Sequence, residues 1–159
     1  MKPTTTLSPD RFLWFNRAGI RFAAVMEHLQ EVLPLTGLRP LPASEPALAG
    51  LMVLRDTILP VFDPALLLSS TPAPLHALVH AIVLRLEGQA VFAVMAEEVG
   101  QVISLPPPAR MSCPVRLAAA FAGEWIAPDK TRSHNLDIPR LAAVMGLHNP
   151  IPASTPIPR

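Results

Sequence analysis

The sequence predicts an all-β protein of short strands and many turns, with a few single-turn helices. Twenty of the 159 residues are proline, which fixes φ and removes a backbone donor, so long helices and central strands must fit between prolines. The proline-free windows are mostly of strand length. Apolar residues make up 50% of the chain, so one domain of this length can bury a sizeable core.

Three strand pairs are expected along the chain, each joined by a short turn between apolar runs. A further strand begins at Val99. The expected pairs are residues 11–16 with 20–25 around Arg17-Ala18-Gly19, residues 51–54 with 57–62 around Arg55-Asp56, and the segment 78–105, which turns at Glu87-Gly88-Gln89.

Residues 22–33 fit two structures. Helical spacing of apolar residues predicts an amphipathic helix here, with Phe22, Val25, Leu29, Val32 and Leu33 on its apolar face. The alternation within 20–25 instead favours a strand. Periodicity alone leaves both open.

The two halves of the chain repeat each other faintly. A paired-strand unit leads into residues 31–35 in the first half, and another leads into 101–108 in the second. This repetition favours two similar small barrels over one large sheet. Residues 1–10 and 149–159 are polar or proline-rich and are expected to be loose tails.

Charge and cysteine content restrict the partners and the compartment. Thirteen basic residues balance twelve acidic ones, so binding to nucleic acid or anionic lipid has little electrostatic support. The one cysteine, Cys113, excludes an internal disulfide and fits a reducing compartment. The longest uncharged stretch, residues 64–84, is rich in proline and hydroxyl residues and unsuited to a membrane helix. We therefore expect a cytoplasmic protein without direct membrane insertion.

The residues that could carry chemistry form no convincing catalytic or metal site. His76 and His80 lead into a strand, where a spacing of four separates them by about 13 Å. Ser133, His134 and Asp137 lie too close in sequence for a relay, and a polar loop is the favoured interpretation. The adjacent Glu97-Glu98 would point to opposite faces of a strand, so a solvated edge is expected. We predict no catalytic residue, no metal and no cofactor.

An ordered series of features runs through the first half of the chain and can be followed without gaps from about residue 12 to 68. The features are Leu13-Trp14-Phe15, Arg17-Ala18-Gly19, Phe22, Glu31-Val32, the loop from Pro42 to Pro46, Gly50, Arg55 and Pro60-Val61-Phe62-Asp63. This series resembles the CheW family of chemotaxis coupling proteins. The second half follows the family pattern more loosely over 91–105, with Glu97 where Asp is usual, and over 136–145.

This resemblance implies two packed five-stranded SH3-like barrels with short helical turns and a short C-terminal helix. The single domain would span 11–148, the first barrel about 18–77 and the second 11–17 plus 78–148. Residues 22–33 would then be strand and turn rather than helix.

Three positions depart from the family pattern. Arg-Gly becomes Arg55-Asp56, where Asp tolerates a left-handed conformation better than most residues. Asp-Leu becomes Asp63-Pro64. The segment 131–136, expected as the strand before the terminal helix, is unusually polar, which puts the edge of the second barrel in question.

The function implied by the resemblance is a non-catalytic adaptor. Its partners would be the cytoplasmic tip of a chemoreceptor (a methyl-accepting chemotaxis protein) and the regulatory domain of a CheA-type histidine kinase, with recruitment to receptor arrays at the inner membrane. The predicted partner-binding residues are Glu31, Val32, Leu33, Leu35, Arg55 and Asp56.

Arg55-Asp56 has two interpretations of equal weight. It is either a solvated hairpin turn or part of a docking surface, where the planar guanidinium of Arg55 suits bidentate contacts. Glu31 is the expected partner of Arg55, within the chain or across an interface. Core packing is the first expectation for each of Val32, Leu33 and Leu35.

Two alternative functions stay open at this point. One is a divergent paralogue of the same family in a pilus-motility or surface-sensing pathway. The other is a small-barrel ligand-binding domain or enzyme, which a polar pocket with convergent titratable groups would indicate.

Overall fold

A computed structural model of the chain describes residues 10–40, 47–68, 79–105, 121–126, 132–144 and 151–152. Within these ranges the backbone forms two β-sheets, one short helix and two 3₁₀ turns, which confirms the all-β prediction. The strands are β1 (Asp10–Arg17), β2 (Ile20–Val25), β3 (Leu29–Pro34), β4 (Leu48–Leu54), β5 (Thr57–Phe62), β6 (His80–Leu86), β7 (Gln89–Ala96), β8 (Glu98–Leu105), β9 (Phe121–Ile126), β10 (Arg132–Leu136) and β11 (Ile151–Pro152), and the helix is α1 (Ile138–Val144).

The first sheet has the strand order β8-β1-β2-β10-β9, and the second has β11-β5-β7-β6-β3, with β4 paired to β5. Pairing is antiparallel except for β2 with β10 and β5 with β7. The chain passes directly from the second sheet to the first at Glu97, between β7 and β8. Closure of either sheet into a barrel is not shown, so the predicted barrel boundaries stay a prediction.

Two-residue turns close three hairpins at the predicted places, and the first residue of each turn adopts the left-handed conformation. Their φ angles are 52° at Ala18, 54° at Arg55 and 52° at Glu87. Left-handed backbone conformations match the twist of a tight hairpin, although they cost a non-glycine residue some steric strain. In the second turn Arg55, and not Asp56, has the positive φ.

Residues 22–33 form strand, turn and strand, so the helix that their periodicity predicts is wrong. A 3₁₀ turn at Met26–His28 separates β2 from β3. Phe22 and Ala24 pack in the main core, while Ala23 on the opposite face packs in a smaller cluster. A strand buried on both faces loses the alternation of a half-buried strand, so spacing alone misassigns it.

The main core lies between the sheets and contains Phe15 and Phe22 from the first sheet and Phe62 and Phe92 from the second. Burying one such ring contributes roughly 2–3 kcal/mol. A second core, with Met52, Leu59, Val61 and Met95, lies on the other face of the second sheet.

The polar strand β10 lies inside the first sheet, between β2 and β9, and not at its edge. The polar loop expected at Ser133 and His134 is therefore wrong. Ser133 and Asn135 are both 0% exposed. Their side-chain polar atoms have no hydrogen-bond partner in the part of the chain that the structure describes.

The departure at Asp63-Pro64 has a local structural reason. Asp63 caps a 3₁₀ turn at Pro64–Leu67, and its Oδ1 accepts a hydrogen bond of 3.1 Å from the Ala65 amide. Proline suits the first position of such a turn because its fixed φ is compatible and its missing N–H is not needed there.

Candidate functional site

The β4–β5 hairpin turn brings Arg55 to Glu31 on β3. One terminal nitrogen of the guanidinium donates to Glu31 Oε1 at 3.0 Å, and the other donates to Oε2 at 3.5 Å. The predicted pairing of these two residues is thus present within the chain. Their predicted role in partner binding is a separate matter and stays a prediction.

The Arg55–Glu31 pair is largely open to solvent, since the Arg55 side chain is 70% exposed. An exposed ion pair contributes little to stability because water screens it and ordering two long side chains costs entropy. Because the Arg55 side chain is so exposed, its guanidinium remains accessible for a contact with another protein.

The other predicted partner-binding residues do not form one continuous surface. Glu31 and Leu33 share the face of β3 that lies toward the second core, and Leu33 and Leu35 pack against that core while partly buried. Val32 points to the opposite face and is exposed. Asp56 is exposed in the turn beside Arg55.

Val53 on β4 is an exposed apolar residue that the sequence analysis did not single out. It lies two residues before Arg55 on β4 and is 59% exposed, whereas its neighbour Met52 is buried in the second core. The run Leu51-Met52-Val53-Leu54 is apolar throughout, so no periodic signal distinguishes its exposed member.

A buried ion cluster of Arg17, Asp63 and Glu97 connects the two sheets. Arg17 donates from Nε to Asp63 Oδ1 at 3.1 Å and from a terminal nitrogen to Oδ2 at 2.9 Å. Its other terminal nitrogen donates to Glu97 Oε1 at 2.7 Å. The Arg17 side chain is only 1% exposed.

The environment of Arg17 shifts its protonation equilibrium. Burial by itself would lower the pKa of the guanidinium, but the hydrogen bonds and negative charges of Asp63, followed by those of Glu97, outweigh it and raise the pKa. The cation is held charged at the junction of the sheets.

Sequence reasoning placed Arg17 in a turn and missed this cluster. One signal was available, because Arg17 continues the two-residue alternation of the core residues Leu13 and Phe15 on β1. Glu97 is also not the solvated residue that was expected, since it accepts hydrogen bonds from Arg17 and from the Ala18 amide. Glu98 is exposed, as expected of a solvated edge.

A polar pocket of about 600 Å³ opens beside the ion cluster, at one end of the first sheet. Its titratable side chains come from β2, β8, β10 and the link between β7 and β8. The residues around it are Asn16, Gly19, Ile20, Arg21, Glu97, Glu98, Arg132 and His134. Arg21, one of the lining residues, lies over the Trp14 ring with 4.5 Å between the guanidinium carbon and the ring centroid.

The described residues contain no group of three or more His, Cys, Asp or Glu placed to hold a metal ion. His80 begins β6, while His76 and Cys113 lie outside the described residues. In the same part of the chain, no helix has the length and apolar character needed to cross a bilayer.

Comparison with known proteins gives a matching family and solved structures of similar fold. The model of a family described as the CheW-like domain matches residues 11–144. The crystal structure of the scaffolding protein TtCheW from Thermoanaerobacter tengcongensis is similar with a TM-score of 0.67 and 17% identity, covering 87% of this chain and 90% of that one. No curated protein matches the sequence significantly.

Proposed function

This chain belongs to the CheW family, and from that premise we propose that it couples a chemoreceptor to a CheA-type histidine kinase. In this role it binds the cytoplasmic tip of the receptor and the regulatory domain of the kinase. The family is one of chemotaxis scaffolds, which act by binding and not by catalysis. The signal would pass as a shift between kinase conformations.

The single observation that carries this proposal is the exposed Arg55–Glu31 pair on a structured hairpin. The two residues hold each other in place at little gain in stability. Arginine is frequent among the residues that dominate protein interfaces, because its guanidinium binds bidentately and is weakly hydrated. Val53, two residues before Arg55 in the same hairpin, is a second exposed side chain and an apolar one.

Co-sedimentation with receptor and kinase tests the proposal. We expect wild-type protein to sediment with both, and the Arg55→Glu variant to lose binding because it removes the guanidinium that would contact the partner. The double variant Arg55→Glu with Glu31→Arg separates two roles. If the pair acts only inside the chain, the exchange restores binding; if Arg55 itself contacts the partner, the exchange does not.

A pull-down from the native cell identifies the pathway. Recovery of histidine-kinase and receptor peptides by the wild-type bait, and not by Arg55→Glu, supports the chemotaxis adaptor. Recovery of pilus-motility or surface-sensing components instead would favour the divergent paralogue. Recovery of neither class by the wild-type bait would contradict the adaptor role.

The polar pocket favours a second candidate function, the binding of a small charged ligand. Its lining carries both signs of charge, with Arg21 and Arg132 basic and Glu98 acidic, which suits a molecule that carries both signs. A calorimetric titration with free amino acids tests this. Binding that the Arg21→Gln variant loses would support the candidate, and no binding by wild type would remove it for this ligand class.

A further inference from the structure

Two kinds of contact hold the two sheets together, and only one of them is directional. The main core between them is apolar, and apolar burial stabilises any arrangement that removes the same area from water. The ion cluster of Arg17, Asp63 and Glu97 is directional, because a guanidinium bound to a carboxylate through two parallel hydrogen bonds fixes both distance and orientation.

Each member of the cluster lies at a different point of the sheet junction. Arg17 is the last residue of β1 in the first sheet, and Asp63 directly follows β5 in the second. Glu97 is the link between β7 and β8, where the chain leaves the second sheet for the first. The cluster therefore joins the first sheet to two separate places on the second.

Backbone contacts reinforce the link at Glu97. Its amide donates to the Asn16 carbonyl at 2.8 Å, and its carboxylate accepts from the Ala18 amide at 3.0 Å. The end of β1 and the turn that follows it are thus attached to the passage between the sheets.

We propose that Arg17, Asp63 and Glu97 are positioning residues that set the relative orientation of the two sheets. The claim concerns the isolated chain and does not depend on any partner. Its consequence for an adaptor, that surfaces on the two sheets are held at a defined angle, rests on the proposed function.

The energetics of buried ion pairs favour this role over a purely stabilising one. Desolvation of the charges opposes their attraction, so a buried pair replaced by neutral groups of similar shape often leaves stability unchanged. What neutral groups lack is the fixed geometry of the charged contact. Loss of the cluster should therefore affect the uniqueness of the sheet arrangement more than the stability of each sheet.

The main experiment removes the charges and keeps the shapes. In the triple variant Arg17→Met, Asp63→Asn, Glu97→Gln, the amide oxygens can still accept from Ala65 and Ala18. Residual dipolar couplings measured by NMR report the orientation of each sheet. We expect wild-type couplings to fit one alignment tensor, and those of the triple variant to require a different tensor for each sheet. One common tensor with the wild-type orientation in the triple variant would overturn the proposal.

If the triple variant does not fold, the milder variant Arg17→Lys tests the positioning role of the ion cluster. Lysine retains the charge and loses the planar fork. We expect the amides of Ala18 and Glu97 to exchange with solvent at least ~10-fold faster relative to the amide of Phe92 in the second sheet. The reason is that the junction between the sheets would then open locally, without unfolding of either sheet. An unchanged ratio would show that the fork does not position the sheets, and Arg11→Lys, at an exposed site of β1, is the matched control.

Failure of this proposal and failure of the adaptor proposal can be told apart. Both readouts above use the free protein, whereas the adaptor proposal depends on binding by Arg55. A chain that keeps one sheet orientation without the ion cluster, yet binds its partners through Arg55, would contradict only the positioning role.

Discussion

Arg55 donates hydrogen bonds to both carboxylate oxygens of Glu31, which lies 24 residues earlier in the chain. The contact connects the tip of one hairpin to the end strand β3 of the second sheet. Arg55 holds a left-handed backbone conformation, with φ of 54°, at a turn position that glycine would occupy without strain. Ala18 and Glu87 hold the same conformation in their own hairpin turns, so the contact of Arg55 with Glu31, and not its φ, distinguishes it.

Charge reversal at this position is expected to separate binding from stability. Arg55→Glu should change the free energy of unfolding by no more than about 1 kcal/mol, because an exposed ion pair is worth about 0.2–1 kcal/mol. Partner binding, measured by co-sedimentation, should fall at least ~10-fold, which corresponds to the loss of about 1.4 kcal/mol of binding free energy. Arg11→Glu, at an exposed site of the first sheet, is the control and should bind normally. Binding that survives in Arg55→Glu would remove Arg55 from the interface.

Removing the buried cation should be far more costly. Arg17→Met leaves Asp63 and Glu97 without their shared partner, and breaking a buried pair from one side typically costs about 3–5 kcal/mol. Urea unfolding measures the loss directly. The same substitution at the exposed Arg55 serves as control, with an expected loss below about 1 kcal/mol. An equally small loss for Arg17→Met would mean that water already compensates these charges in the folded protein.

The raised pKa of Arg17 makes a prediction about pH. A basic group with a raised pKa contributes stability that is complete below its unfolded pKa and disappears only as pH rises through the folded value. The unfolded pKa of arginine already lies well above pH 10. The stability difference between wild type and Arg17→Met should therefore be constant from about pH 7 to 10. If that difference shrank steadily toward pH 10, the guanidinium would not be its source.

Gly100 on β8 should not tolerate a side chain, because a Cβ at this position would overlap the indole ring of Trp14. Gly100→Ala is expected to lower the free energy of unfolding by about 1–3 kcal/mol, the usual cost of overpacking. In a Trp14→Ala background the same change should cost much less, since the obstructing ring is gone. Equal costs in the two backgrounds, measured by chemical denaturation, would place the effect in the backbone and not in the ring contact.

Replacing the buried amide of Asn135 should stabilise the protein, whereas the substitution at Gly100 should destabilise it. Asn135 is 0% exposed, and neither its amide nitrogen nor its amide oxygen has a hydrogen-bond partner among the described residues. An unsatisfied buried polar group costs roughly 1–3 kcal/mol, so Asn135→Leu should raise the free energy of unfolding by about 1 kcal/mol. Asn16→Leu is the contrast, because it removes an amide that donates to Glu98 at 3.0 Å, and it should bring no gain. A clear loss of stability in Asn135→Leu would indicate that the amide is satisfied in solution.

The candidate site could be predicted in part. The predicted pairing of Arg55 with Glu31 is present in the structure. The grouping of Glu31 with Val32 as neighbouring partner-binding residues did not predict that their side chains lie on opposite faces of β3. Adjacent residues on a strand face opposite sides, and which side is open depends on the elements that cover it. The exposure of Val53 had no signal for the same reason.

The sequence by itself determined the three hairpins and the positions of their turns, because proline positions, short apolar runs and turn residues act within a few residues of chain. It also determined membership of the family, because that depends on an ordered series of residues. Only the tertiary structure decided that β10 lies inside a sheet and that Arg17 is buried. Arg17 meets Asp63 and Glu97 across 46 and 80 residues of chain. The alternation of Leu13 and Phe15 marks Arg17 as facing inward, but the free energy that permits a buried charge comes from those distant carboxylates, which the local sequence does not reveal.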